Sequence, residues 1–348
     1  MSAFFITLAV GLGFGLLFLK LGVPGGMMVG AIVGVALLSV LTGEAHLPPE
    51  VKLAAQCMAG AFIACSVEKS DLQNLPGVLR PALVLLGAVL ALNLGLGFLI
   101  HRCSPMDLLT SLMCAVPGGM SDIPIIAADM GADASKVAVL QFVRMSVGIG
   151  VFPGLISLLT RSERPPEGAG EVGRREPPAR GAGAGGWPAL LFTLAVAGLC
   201  GTLGKRLGIP AGALVFSMLG VGALKLRFGK GYLPLRAKRL AQVLSGAYIG
   251  CGITRADLLE LRYLILPAAI LLAGYFLNSL LTGMLLHRLF GFSRKVAMLA
   301  ATPAGATDMA LISADLGVDS KELIELQIIR MVVVVSAFPQ VIFLVTLL

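Results

Sequence analysis

The sequence predicts an all-α polytopic integral membrane protein made of two homologous repeats, inverted relative to each other. Each repeat reads as about five transmembrane helices plus a broken or re-entrant helix pair. Three observations lead there: too few charges to coat a water-facing surface, apolar runs long enough to cross a bilayer, and motifs that recur at one fixed offset. Charged residues make up 13% of the 348 residues and hydrophobic residues 57%, whereas a soluble domain carries about 25% charge. Mean hydropathy is +0.92. The runs at 82–100, 137–159 and 264–286 can each cross the ~30 Å of hydrocarbon.

The recurrence is the most specific of the three. LGVPGG at 21–26 returns as LGIPAG at 207–212, and PGGMSD at 117–122 returns as PAGATD at 303–308. Gln56, Gly60, Ile63, Cys65 and Asp71 return as Gln242, Gly246, Ile249, Cys251 and Asp257. Asp129, Gln141, Arg144 and Pro153 return as Asp315, Gln327, Arg330 and Pro339. Every pair is separated by the same 186 residues that part Pro117 from Pro303. Shared apolar composition does not produce an ungapped register of that length, so a duplication is expected. Repeat 1 spans residues 1–160 and repeat 2 spans 187–348. Residues 161–186 between them are rich in Pro, Gly, Arg and Glu without apolar periodicity, and read as a disordered linker.

Within repeat 1 the elements follow in order. The start has no basic n-region and no small-residue cleavage site, so residues 3–19 read as a first membrane helix and not as a removable signal. A Gly-Pro break follows, then helices over about 23–41, 51–67 and 78–100. The apolar stretch 108–130 is interrupted at PGGMSD, and a last helix covers 137–159. Repeat 2 repeats the series from Leu190. The two parts of the interrupted stretch are each too short to cross alone. They form either one broken spanning helix or a re-entrant hairpin with PGGMSD at its tip. Irregular backbone at membrane depth is tolerated only beside protein or a water-filled cavity, so the tip should face a cavity. The distribution of loop Lys and Arg favours the re-entrant, inverted arrangement, with the linker cytoplasmic and the termini on the far side.

Net charge is +8. Its densest block, residues 225–239, reads as an orientation anchor or a surface for anionic lipid head groups. No segment of helix-turn-helix size is left over for DNA. The six cysteines show no CxxC spacing and the three histidines are scattered, so neither a disulfide framework nor a metal centre is expected.

Ionisable residues inside membrane segments suggest function by default. Arg144 and Arg330 lie in apolar helices, with Gln141 and Gln327 three residues earlier on the same face. Asp122 and Asp308 follow the breaks, preceded by Ser121 and Thr307. Pro117 and Pro303 stop the incoming half-helix. Gly118, Gly119 and Gly305 are expected to take positive φ and let the backbone approach a ligand. The bland alternatives are that Ser121, Asp122, Thr307 and Asp308 cap the next half-helix, and that each Arg forms a buried ion pair with an Asp. These thirteen residues are the candidate substrate or ion site; no catalytic or metal-binding residue is expected, and the chain does not read as an enzyme.

The paired elements PGGMSD…ADMGAD…QFVRM…FP and PAGATD…ADLGVD…QIIRM…FP resemble those of the AbrB-type bacterial membrane proteins, which carry a duplicated hydrophobic domain. That family is distinct from the soluble DNA-binding regulator of the same name. The resemblance covers essentially the whole chain outside the linker and implies a bacterial inner-membrane protein. Family members carry labels of ammonia monooxygenase or regulator. The first label needs clustered His and carboxylate ligands, which this chain lacks. More distantly, the architecture is similar to the cation/proton antiporter and anion transporter superfamily. That implies broken helices at a central site and one block moving against the other. The resulting expectation is a secondary transporter of a small polar solute, an organic anion among the candidates, coupled to H⁺ or Na⁺. The alternative is a membrane scaffold or sensor that affects gene expression through a partner. Expected partners are the bilayer, a small-molecule or ion substrate and a second copy of the chain, with no nucleic acid and no cofactor.

Overall fold

The computed structural model describes residues 2–69, 71, 75–160, 186–229, 231–302 and 321–347. The described residues are helical, joined by short turns. The first half runs α1 (Ser2–Lys20), α2 (Gly26–Thr42), α3 (Pro49–Ser66), α4 (Leu75–Cys103), α5 (Leu108–Cys114), α6 (Ile123–Met130), α7 (Ala134–Gly150) and α8 (Phe152–Leu159). The second runs α9 (Trp187–Arg206), α10 (Gly212–Phe228), α11 (Leu235–Cys251), α12 (Arg255–Glu260), a 3₁₀ turn at Leu261–Leu264, α13 (Ile265–Phe290), α14 (Arg294–Ala301) and α15 (Lys321–Leu347). The linker lies outside the described residues, apart from Gly186.

Local chemistry sets the ends. Asp107 and Asp133 cap α5 and α7, each accepting from first-turn amides, and Ser293 caps α14. Glycines in the left-handed region close α2, α10 and α13, with φ of 69°, 66° and 71°, a conformation in which a Cβ is costly. The helix expected over 137–159 breaks at Val151 into α7 and α8, whereas its counterpart α15 passes through Pro339 unbroken. The proline removes one backbone donor in both places. Only the first has Gly148, Gly150 and Gly154 around it, so only there does the chain bend cheaply.

Two groups of helices pack within themselves. In the first, α2 packs on α1 and α11, α10 on α9 and α3, and α3 on α11. Small residues bring these backbones together, the usual means of helix association in lipid. A Cβ on Gly30 would lie 2.3 Å from Phe14 O, and one on Gly212 2.4 Å from Gly204 O. In the second group, α4 and α13 pack on each other and on α5, α7, α14 and α15. α6 bridges the groups, touching α7 on one side and α3 and α11 on the other.

Side-chain bonds recur at the 186-residue offset. His46 N–H donates to Thr7 Oγ1 (3.3 Å) and Tyr232 N–H to Thr193 Oγ1 (3.1 Å). His101 Nδ1 pairs with Met106 O (2.8 Å) and His287 Nδ1 with Phe292 O (2.6 Å). Ser39 Oγ donates to Cys251 O at 3.3 Å, and Lys225 Nζ to Cys65 O. Lys225, read above as part of a lipid-facing block, thus turns inward to the C-terminal end of α3. A lysine stem reaches along the apolar helix while its charge meets the negative pole of the dipole.

Five described helices are long and apolar enough to cross a membrane: 3–20, 76–103, 187–206, 261–290 and 322–347. Their outer faces leave Phe5, Leu16, Leu83, Leu99, Leu199 and Leu281 exposed. Large apolar side chains exposed along such helices are unfavourable in water and suited to lipid.

Candidate functional site

The broken stretch is where the second group departs from regular helix. α5 ends at Cys114, Ala115–Asp122 form turns, and α6 begins at Ile123. The last carbonyls of a helix have no internal partner, and in an apolar surround each must find a donor. Here side chains from three other helices supply them. Asn93 Nδ2 donates to Leu112 O (2.9 Å). Gln141 Nε2 lies within reach of Met113, Cys114 and Val116 O (3.4, 3.3 and 3.0 Å). Tyr275 Oη donates to Ala115 O (2.6 Å). Arg144 donates to Val116 O (3.3 Å) and Gly118 O (2.5 Å).

The end of α14 is held the same way. Ser279 Oγ donates to Met298 O (3.0 Å) and Asn278 Nδ2 to Ala301 O (3.4 Å). Gln327 Nε2 reaches Leu299 and Ala300 O (3.2 and 3.3 Å). Arg330 donates to Ala300 O (3.4 Å) and Thr302 O (2.6 Å). Gln141, Arg144, Gln327 and Arg330 are all buried. Both guanidiniums act electrostatically on Tyr275, and Arg144 lies 5.9 Å from its ring centre. Two positive charges therefore sit at the negative poles of two short helices, where the macrodipole favours them.

Several expectations change. Gly118 and Gly119 do not take positive φ; the positive-φ residues nearby are Gly25 and Gly131. Glycine is required for space: a Cβ on Gly118 would lie 2.4 Å from Ile123 Cδ1, and one on Gly119 2.3 Å from Asp122 Oδ2. Asp122 does not cap α6 with its side chain. Its own backbone is already helical (φ −98°, ψ −42°), so the carboxylate cannot reach forward as an extended cap residue does. It accepts from Ser121 Oγ instead, at 3.2 Å. Asp122 and Arg144 form no ion pair; Arg144 is turned to the carbonyls. Pro117 is buried at the break and Ser121 and Asp122 are half-buried. Pro303, Gly305, Thr307 and Asp308 lie outside the described residues.

The tip touches the first helix group. Gly25, at φ 64° in the turn before α2, faces the Met120 sulfur so closely that a Cβ there would lie 2.6 Å from it. The matching turn before α10 places Ala211 at φ 55°, and its Pro210 O accepts from Gln340 of α15 at 2.6 Å. Residues missed in the sequence are Tyr275, a long-range donor with no local motif, and Lys52 and Lys238. The last two match across the 186-residue offset, and that match was the available signal.

Long lipid-suited helices, two groups in contact, and a broken helix whose carbonyls are held by buried side chains define a helical protein of membrane type. A family model described as "Transition state regulatory protein AbrB" matches residues 27–346, so the chain belongs to that family. It is 26% identical over 334 residues to "Uncharacterized protein YhjN" of Bacillus subtilis (strain 168), covering 91% of this chain and 86% of that protein. It is 27% identical over 333 residues to "Putative regulator AbrB" of Escherichia coli (strain K12), covering 93% and 91%.

Proposed function

We propose that the protein is a secondary transporter of a small polar solute, with its site where the broken helix meets the first helix group. The observation that carries this reading is the pair of short helices α5 and α14, whose ends are held by equivalent Gln–Arg pairs beside a half-buried Asp122. Half-helix poles with an adjacent carboxylate suit polar solutes and coupling ions. Asp122 and Ser121 bind or gate the coupling ion, H⁺ or Na⁺. Two buried guanidiniums favour an anionic solute, an organic anion above all.

The halves are read as inverted repeats. Support comes from α3 and α11, which are equivalent by the offset and run antiparallel: Lys52 lies over Tyr248 and Lys238 over Phe62. The re-entrant reading draws on the Asp133 N–H bond to Thr110 Oγ1 (3.0 Å), which brings the starts of α5 and α7 to one level. The linker is then cytoplasmic and both termini face the other side of a bacterial inner membrane.

The test is uptake by proteoliposomes under an imposed H⁺ or Na⁺ gradient, screened across small carboxylates. Asp122→Asn should abolish gradient-driven uptake in correctly inserted protein; wild-type rates would remove Asp122 from the site. The printed name of the Escherichia coli relative supports a second reading, a regulator acting through a partner. Deleting residues 164–185 separates the two. Transport should survive the deletion, whereas a partner-docking protein should lose its effect on gene expression.

A further inference from the structure

The eight-residue α6 is bridged at its far end by a lysine of the first helix group. Lys52, near the start of α3, places Nζ 3.1 Å from Asp129 Oδ1 at the far end of α6. The two side chains are 15% and 22% exposed, and the Lys52 ammonium also lies 5.8 Å from the Tyr248 ring centre. Towards the near end, Lys238 of α11, a helix in contact with α6, lies 4.4 Å from the Phe62 ring centre.

The dimensions agree. Lys52 and Phe62 are about 15 Å apart along α3, and Asp122 and Asp129 about 10 Å apart along α6; a lysine side chain spans the remainder. A cation beside the C-terminal end of α6 also suits its dipole. Withdrawn from solvent and seated on an aromatic ring, the Lys52–Asp129 bridge is less screened than an exposed pair.

We propose that the Lys52–Asp129 bridge is an electrostatic clamp by which the first helix group holds α6. The clamp opens when the second group moves. Lys52 is a positioning residue, acting on the site through α6. Its place in a transport cycle rests on the function proposed above; the clamp itself does not.

The experiment is hydrogen–deuterium exchange on the full chain in lipid nanodiscs, comparing Lys52→Gln, Asp129→Asn and the exchanged pair Lys52→Asp with Asp129→Lys. Each single change should speed exchange of residues 115–130 about fivefold, the factor that a partly screened ion pair supplies. α1 and α2 should be unaffected, and the exchanged pair should return the rate towards wild type. Unchanged exchange in both single variants would overturn the clamp. So would a rise across the whole chain that the exchanged pair does not reverse. If exchange responds as expected but no solute is ever transported, the clamp stands and the transporter reading falls.

Discussion

Replacing Arg144 by alanine removes the donors that meet Val116 O and Gly118 O; Val116 O keeps Gln141 Nε2, so Gly118 O is the carbonyl that loses its side-chain donor. A buried polar group stripped of its partner costs about 1–3 kcal/mol, and that cost falls on Gly118 O. Loss of the positive charge at the α5 pole adds up to about 2 kcal/mol in a buried setting. Against a total stability of about 5–15 kcal/mol, the variant should melt well below wild type in detergent. Amides of residues 115–122 should also exchange faster. Arg144→Lys separates the terms: it keeps the charge but cannot bridge both oxygens at once, and should fall between the two. Arg330→Ala should behave alike through Ala300 O and Thr302 O. Should Arg144→Ala match wild type in melting and in exchange at the tip, Arg144 would not hold the break. Its burial would then need another explanation, with direct solute binding the first to consider.

Other outcomes follow from the same contacts. Tyr275→Phe deletes the hydroxyl bonded to Ala115 O and should cost about 1–3 kcal/mol, read as a lower melting temperature. Gly30→Ala or Gly212→Ala drives a methyl into a facing backbone and should cost about 1–3 kcal/mol or more, seen as loss of monodisperse protein. Gln56 is 1% exposed and its Nε2 finds no hydrogen-bond partner among the described residues. Gln56→Leu removes that orphaned donor, so it should leave stability unchanged or raised. A clear drop in melting temperature would mean that the amide has a structural partner.

Much of the fold was legible because the bilayer restricts the choices. Apolar run lengths gave α1, α4, α9 and α13, and the Pro-Gly tract in PGGMSD gave the α5–α6 break. Sequence shows that glycine stands at 118 and 119, but only packing shows that the reason is space taken by Ile123 and Asp122 and not a positive φ. Which groups hold the carbonyls was partly visible, since Gln141 and Arg144 share a face and recur as Gln327 and Arg330. Tyr275 was not, because it reaches Ala115 across 160 residues of chain. Asn93 has no asparagine at the matching position of the second half. Its positional equivalent is Ser279, a different donor making the equivalent bond, to Met298 O where Asn93 meets Leu112 O. Lys225 was counted among loop charges because sequence does not show that its stem folds back to Cys65 O.

The central claim is that equivalent halves sit in opposite orientations around re-entrant broken helices. Single cysteines at positions 104, 135 and 320, in a chain lacking its native cysteines, test it directly with a membrane-impermeant maleimide on intact cells. With inverted halves, Ser104→Cys and Ser135→Cys label from outside and Ser320→Cys does not. Labelling of 135 and 320 alike, with 104 protected, would mean that each broken stretch spans the membrane and the halves are parallel, which contradicts the account.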